Sequence, residues 1–132
     1  MTSIDDDFSS LKRFLEKHKS IVAIEPEYPF LRITDQTGRV NARLHFYDGS
    51  YLDLDEMVRI ERGVPVNYHY RYHYQRPDSP VATYDDAPHH AELTTFPYHR
   101  HSYRSGQQET APHPKVSATQ VIQEIVDGLP VG

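Results

Sequence analysis

Near the start of the chain Ile4, Phe8, Leu11 and Leu15 recur at helical spacing, with Phe14 beside them. Ser3 and Asp6 stand at capping-box spacing, with Asp in place of Glu, so a helix should begin there and end near His18 to Ser20. From Ile21 the period changes to two. IVAIE is a short strand, and Pro26 and Pro29 make Tyr28 to Thr34 an edge-like or irregular one. Val40, Ala42, Leu44 and Phe46 alternate with Asn41, Arg43, His45 and Tyr47, which predicts a half-buried strand. Asp48-Gly49 is a two-residue hairpin signal, leading into a strand from Ser50 to about Glu61. There Leu52, Leu54, Val58 and Ile60 share one parity, opposite Asp53, Asp55 and Met57.

Gly63 and Pro65 should break that strand, and Val66 to Gln75 forms the next. Its alternation places Tyr68, Tyr70, Tyr72 and Tyr74 on one face and Asn67, His69, Arg71, His73 and Gln75 on the other. Val81 to about Asp85 is a short strand, and the last lies near Tyr98 to Tyr103, with His99 and His101 facing together. Ser105 to Lys115 reads as an exposed loop or linker. Ser117 and Gln120 then cap a helix whose apolar face is Val121, Ile122, Ile125, Val126 and Leu129, stopped by Gly128 and Pro130. The expected fold is therefore a single α+β domain over residues 1–132. Five or six mostly antiparallel strands form a curved sheet, with both helices on one face.

Composition narrows the chemistry. Without cysteine there is no disulfide framework, no thiolate nucleophile and no Cys-containing zinc site, so any metal site must use His and carboxylate. No apolar leader and no run of about 18 apolar residues occurs, which predicts a soluble, cytoplasmic protein with no membrane partner. A net charge of -5 argues against nonspecific coating of nucleic acid, which depends on many phosphate-neutralising cations. A local site stays open, because six of the nine histidines and seven of the ten tyrosines fall between Tyr68 and Tyr103. That bias exceeds what a folded core needs and marks the tract as a polar working surface.

Three groups in the tract carry candidate chemistry. His69, Arg71 and His73 share a strand face at about 6.5 to 7 Å spacing, suited to a row of contacts on an extended ligand such as a phosphodiester. A histidine there can act as general acid or base while the guanidinium stabilises phosphoryl charge; the competing reading is a solvated sheet face. Tyr84, Asp85, Asp86, His89 and His90 form the second group, in which an Asp can orient an imidazole or simply cap a turn. His99 and His101 form the third. Same-face histidines on one strand can reach one metal ion, with Asp85, Asp86 or His89 completing its shell, but no recognised zinc spacing is present. The favoured reading has no cofactor and treats the same residues as a metal-free acid-base site.

The segments LHFYDGSYLDLDE, YHYRYHYQ, TYDDAPHH and TFPYHRH, followed by an amphipathic C-terminal helix, resemble the TumE-type toxins of prokaryotic toxin-antitoxin modules. The resemblance covers roughly Arg39 to Asp127. It implies a compact α+β toxin, a separately encoded helix-turn-helix antitoxin as partner, and ribonuclease activity on an RNA substrate. By motif position it implicates Arg71 and His73, then Tyr84, Asp85, His89 and His90, then His99 and His101. Asp86 stands where many relatives have Asn, which argues against an invariant catalytic carboxylate at that position. The alternative is a noncatalytic module that uses its tyrosine-rich sheet face to bind the antitoxin, a second copy as a homodimer, or a larger assembly.

Overall fold

The computed structural model describes residues 2–88, 92–104 and 106–130. It is an α+β domain in which one curved antiparallel sheet carries a helix from each end of the chain on the same face. Helix α1 (Ile4–Glu16) opens on the expected capping box, Ser3 Oγ accepting from the Asp6 amide while the Asp6 carboxylate accepts from the Ser3 amide. Strands follow as β1 (Ile21–Glu25), β2 (Phe30–Arg32), β3 (Thr37–Phe46), β4 (Tyr51–Glu61), β5 (Val64–Gln75), β6 (Pro80–Asp85), β7 (His99–Arg104) and β8 (Gln107–Pro112), before α2 (Ala118–Gly128). They order as β1-β3-β4-β5-β6-β7-β8, and β2 pairs with the other half of β3. Among the described residues no helix is long and apolar enough to cross a membrane.

Among the described residues the sheet has eight strands, where a total of five or six was expected. Seven fall on the segments read as strands, and the eighth, β8, lies in the stretch read as a loop or linker: it pairs with β7 from His99 opposite Pro112 to Arg104 opposite Gln107. Its side chains are mostly exposed, so no apolar period marks it in the sequence. Gly63 and Pro65 do not end the pairing of β4 with β5 either. Arg62 and Gly63 both take positive φ, which closes a tight hairpin, and Pro65 pairs opposite Ile60.

A second departure lies within β5. Met57 pairs with His69 but Val58 pairs with Asn67, so Tyr68 is the extra residue of a β-bulge. The bulge reverses parity, bringing Asn67 to the helix side, where its amide donates to Tyr72 Oη and to the Val116 carbonyl, each at 3.0 Å. Tyr68 instead lies under the Arg59 guanidinium and beside the His69 ring. Tyr70, Tyr72 and Tyr74 keep the expected face and are buried in the core, with Tyr70 stacked on Tyr72 at 5.0 Å. Each such side chain contributes about 2 kcal/mol of burial. A face already filled by the helices is not an exposed docking surface.

That core joins α1 residues Ile4, Phe8, Leu11 and Leu15 and α2 residues Ala118, Val121 and Ile122 to the inward rows of β3 to β6. It contains one carboxyl. Glu56 stands in the row of Leu52, Leu54 and Val58, and accepts from Tyr72 Oη at 3.0 Å. Burial pushes its pKa up to about 7 against the hydrogen bond, and the neighbouring Asp7 is raised by burial too. Helix α1 meets the sheet at Gly38, where a Cβ would collide with the Phe8 ring and stand 2.8 Å from Ile4 Cγ1.

Two outcomes follow from this packing. Gly38→Ala should lower unfolding free energy by about 1 to 3 kcal/mol in urea titration, because α1 must lift off β3; unchanged stability would mean α1 is not seated there. For Glu56, both states hold the proton below the ordinary carboxyl pKa of 4.5, and between there and about 7 only the folded state does. Stability is thus full in acid and falls as pH rises across that window, by on the order of 3 kcal/mol. Glu56→Gln should raise Tm over wild type at pH 8 and not at pH 4; an equal difference at both would remove this account.

Candidate functional site

The face away from the helices is polar because each strand alternates and the register aligns the polar rows. One row crosses the sheet as Asp55, Arg71, Asp85 and His99, each directly opposite the next. The neighbouring row runs Asp53, His73, Thr83, His101 and Thr110. Beyond β4, Arg39 forks onto Asp55 with two bonds of 3.0 Å, and Arg43 forks onto Asp53 at 2.7 and 3.1 Å. These bonds hold both guanidinium groups more firmly in the charged form than usual. Arg43 also lies 4.0 Å over the Tyr51 ring.

A cleft of about 630 Å³ opens on this face around the first row. Its wall includes Arg39, Asp55, His69, Arg71, Asp85 and Asp86. Unlike Arg39 and Arg43, Arg71 makes no ion pair among the described residues, and it is exposed. His69, with a side chain 71% exposed, has Nδ1 3.8 Å from Asp86 Oδ2. Asp86 in turn accepts from the Tyr70 amide at 3.1 Å, fixing the start of the segment after β6. Burial pushes the Tyr70 hydroxyl up to about 12, and Asp86 and Asp85 add to that shift.

Behind the cleft wall lies a buried group. Asp85 and His101 are 7% exposed and His99 is 1% exposed. Asp85 Oδ1 accepts from the Ala87 amide at 3.0 Å and lies 2.8 Å from His99 Nε2, while Oδ2 lies 3.5 Å from His101 Nε2. The two rings meet edge to face at 4.7 Å. His99 Nδ1 is 2.9 Å from the Pro97 carbonyl, which can only accept, so Nδ1 carries a proton. His101 Nδ1 is 3.0 Å from Thr110 Oγ1 and 2.7 Å from the Gln108 amide nitrogen.

Of the residues singled out in the sequence, the fold therefore brings His69, Arg71 and Asp85 to the cleft and sets His99 and His101 directly behind Asp85. His73 lies on the same face one row away, with both ring nitrogens engaged, by Thr83 Oγ1 at 2.7 Å and Gln75 Oε1 at 3.0 Å. Tyr84 is on the other side of the sheet, buried beside the His113 ring and under the Arg100 guanidinium. His89 and His90 lie outside the described residues. Asp86, also of the second candidate group, lines the cleft beside Asp85. Thr110 and Gln108 join the site from β8, whose mostly exposed side chains left no period to find in the sequence.

The fold and the cleft together define a class: a small α+β protein with one helix-backed antiparallel sheet, whose uncovered face holds a cleft lined by Arg, Asp and His. Within it, the family model described as Toxin TumE matches residues 11–129, and the chain belongs to the TumE toxin family. No curated protein and no solved structure matches the chain.

Proposed function

We propose that this toxin cleaves RNA in the cleft, and that a separately encoded helix-turn-helix antitoxin restrains it in the cytoplasm. The observation that carries the reading is Arg71, an exposed guanidinium without an ion pair among the described residues, set between His69 and Asp85 on one wall. Its fork matches two oxygens of a phosphodiester and can stabilise the charge that develops on them. His69, steadied by Asp86, takes the proton of the ribose 2′-hydroxyl as that oxygen attacks phosphorus. The bond to the 5′-oxygen breaks, that oxygen takes a proton from water in the open cleft, and a 2′,3′-cyclic phosphate end remains. His99 and His101 are too deeply buried to touch a polynucleotide. They act as positioning residues that hold Asp85, and His73 braces the adjoining row through Thr83.

Arg71→Ala and His69→Ala should each reduce RNA cleavage by about 100-fold or more. Arg43→Ala, which removes a cation of the same face already paired with Asp53, should leave cleavage within about twofold of wild type. Gel assay of the three variants, with end-group analysis of products, tests this. Full activity in both cleft variants would remove the site, and linear phosphate ends as first products would remove the 2′-hydroxyl step.

A further inference from the structure

The cleft carries a contradiction for a phosphate-binding site: three carboxylates, Asp55, Asp85 and Asp86, line it against two guanidinium groups, Arg39 and Arg71. Arg39 is already committed to Asp55. Asp85 and Asp86 would therefore repel the phosphodiester that Arg71 attracts. The buried group behind Asp85 also calls for positive charge. His99 donates from Nδ1 to the Pro97 carbonyl, so in its neutral form the Nε2 lone pair faces the Asp85 carboxylate at 2.8 Å. A cation between them resolves both conflicts.

We propose that Asp85, His99 and His101 bind one divalent first-row transition ion of the zinc type. Their ligand atoms all lie within 4.8 Å of one another. Atoms bound to a single ion at about 2.0 to 2.1 Å, with angles from octahedral to tetrahedral, stand about 2.8 to 3.4 Å apart. Each imidazole stands near that separation from one carboxylate oxygen, His99 Nε2 at 2.8 Å from Oδ1 and His101 Nε2 at 3.5 Å from Oδ2, and the ligand atoms draw together from a spread within 4.8 Å to hold the ion. Two imidazoles and one carboxylate favour zinc-type ions over magnesium or calcium, which take oxygen ligands. The outer contacts are already of the kind that orient metal-bound histidines: Pro97 O on His99 Nδ1, and Thr110 Oγ1 on His101 Nδ1. Turning the Gln108 amide over places its oxygen against His101 Nδ1 and frees Nε2 to coordinate.

Among the described residues three side chains offer ligand atoms, the number that exchangeable sites supply beside a bound water. The ion cancels the charge of Asp85 and adds positive potential behind Arg71. This consequence rests on the RNA-cleavage reading; the binding of the ion does not.

The test is zinc titration of EDTA-treated, dialysed wild-type protein by calorimetry, with cobalt substitution followed by visible absorption. One equivalent should bind, with cobalt bands of a nitrogen- and oxygen-ligated site, while magnesium gives no heat at the same concentrations. His99→Asn/His101→Asn, checked for native fold by circular dichroism, should weaken zinc binding at least about 100-fold, and His45→Asn, at a histidine paired with Glu25 outside the site, should leave it unchanged. Should the double variant unfold, His101→Asn alone and the wild-type cobalt spectrum decide the matter. Less than a tenth of an equivalent in wild type, or equal binding by the folded His99/His101 variants, overturns the proposal. RNA cleavage by metal-free protein that takes up no zinc would defeat this inference alone. Stoichiometric zinc without any RNA cleavage would defeat the functional reading alone.

Discussion

Every feature of the cleft depends on the register with which β4, β5, β6 and β7 pair. Arg71 faces Asp55 on one side and Asp85 on the other, and Asp85 faces His99, because the strands meet at those residues and no others. Side chains alternate with period two, so a slip of one residue between β5 and β6 would turn Asp85 toward the helices and put Tyr84 in the cleft. The buried side enforces the register: Tyr72 must present its hydroxyl to Glu56 and Asn67, and Tyr74 must reach Ser50 at 2.9 Å. Hydrogen bonds inside the core thus hold the chemistry outside it in place.

The same sheet treats polar groups on its two faces differently. Beneath the helices the buried Glu56 carboxyl accepts from the Tyr72 hydroxyl, and its ionisation works against the fold. On the open face Asp53 and Asp55 each meet a forked arginine at half-exposed positions, where the charge remains in contact with water. Asp85 stands between these cases. It is buried like Glu56 yet lines a cleft like Asp55, and its immediate neighbours are two imidazoles whose charge follows their protonation or ligation.

Local signals in the sequence carried much of this architecture. Both capping boxes, the Asp48-Gly49 turn and the parity of Leu52 with Leu54 are short-range features set by backbone geometry, and they stand as expected. So does the shared face of His99 and His101. The hidden features depend on distant partners. Glu56 points inward because the Tyr72 hydroxyl, itself held by Asn67, meets it there, and β8 is a strand because β7 offers an edge, although its exposed side chains show no period. The bulge at Tyr68 could not be seen either, since an extra residue in an otherwise regular tyrosine alternation leaves no local mark. Which face Tyr84 takes relative to Arg71 follows from cross-strand registration, a tertiary property.

The bulge also governs how the chain can vary in length. Removing Tyr68 would leave His69 opposite Met57 and Asn67 opposite Val58, now in an unbroken ladder, with every other side chain on its present face. Removing any residue from Tyr70 to Tyr74 would instead reverse part of the strand and exchange core for cleft. A one-residue deletion at Tyr68 would therefore leave the floor of the cleft undisturbed, whereas the half of β5 that carries Arg71 is fixed in length by its register.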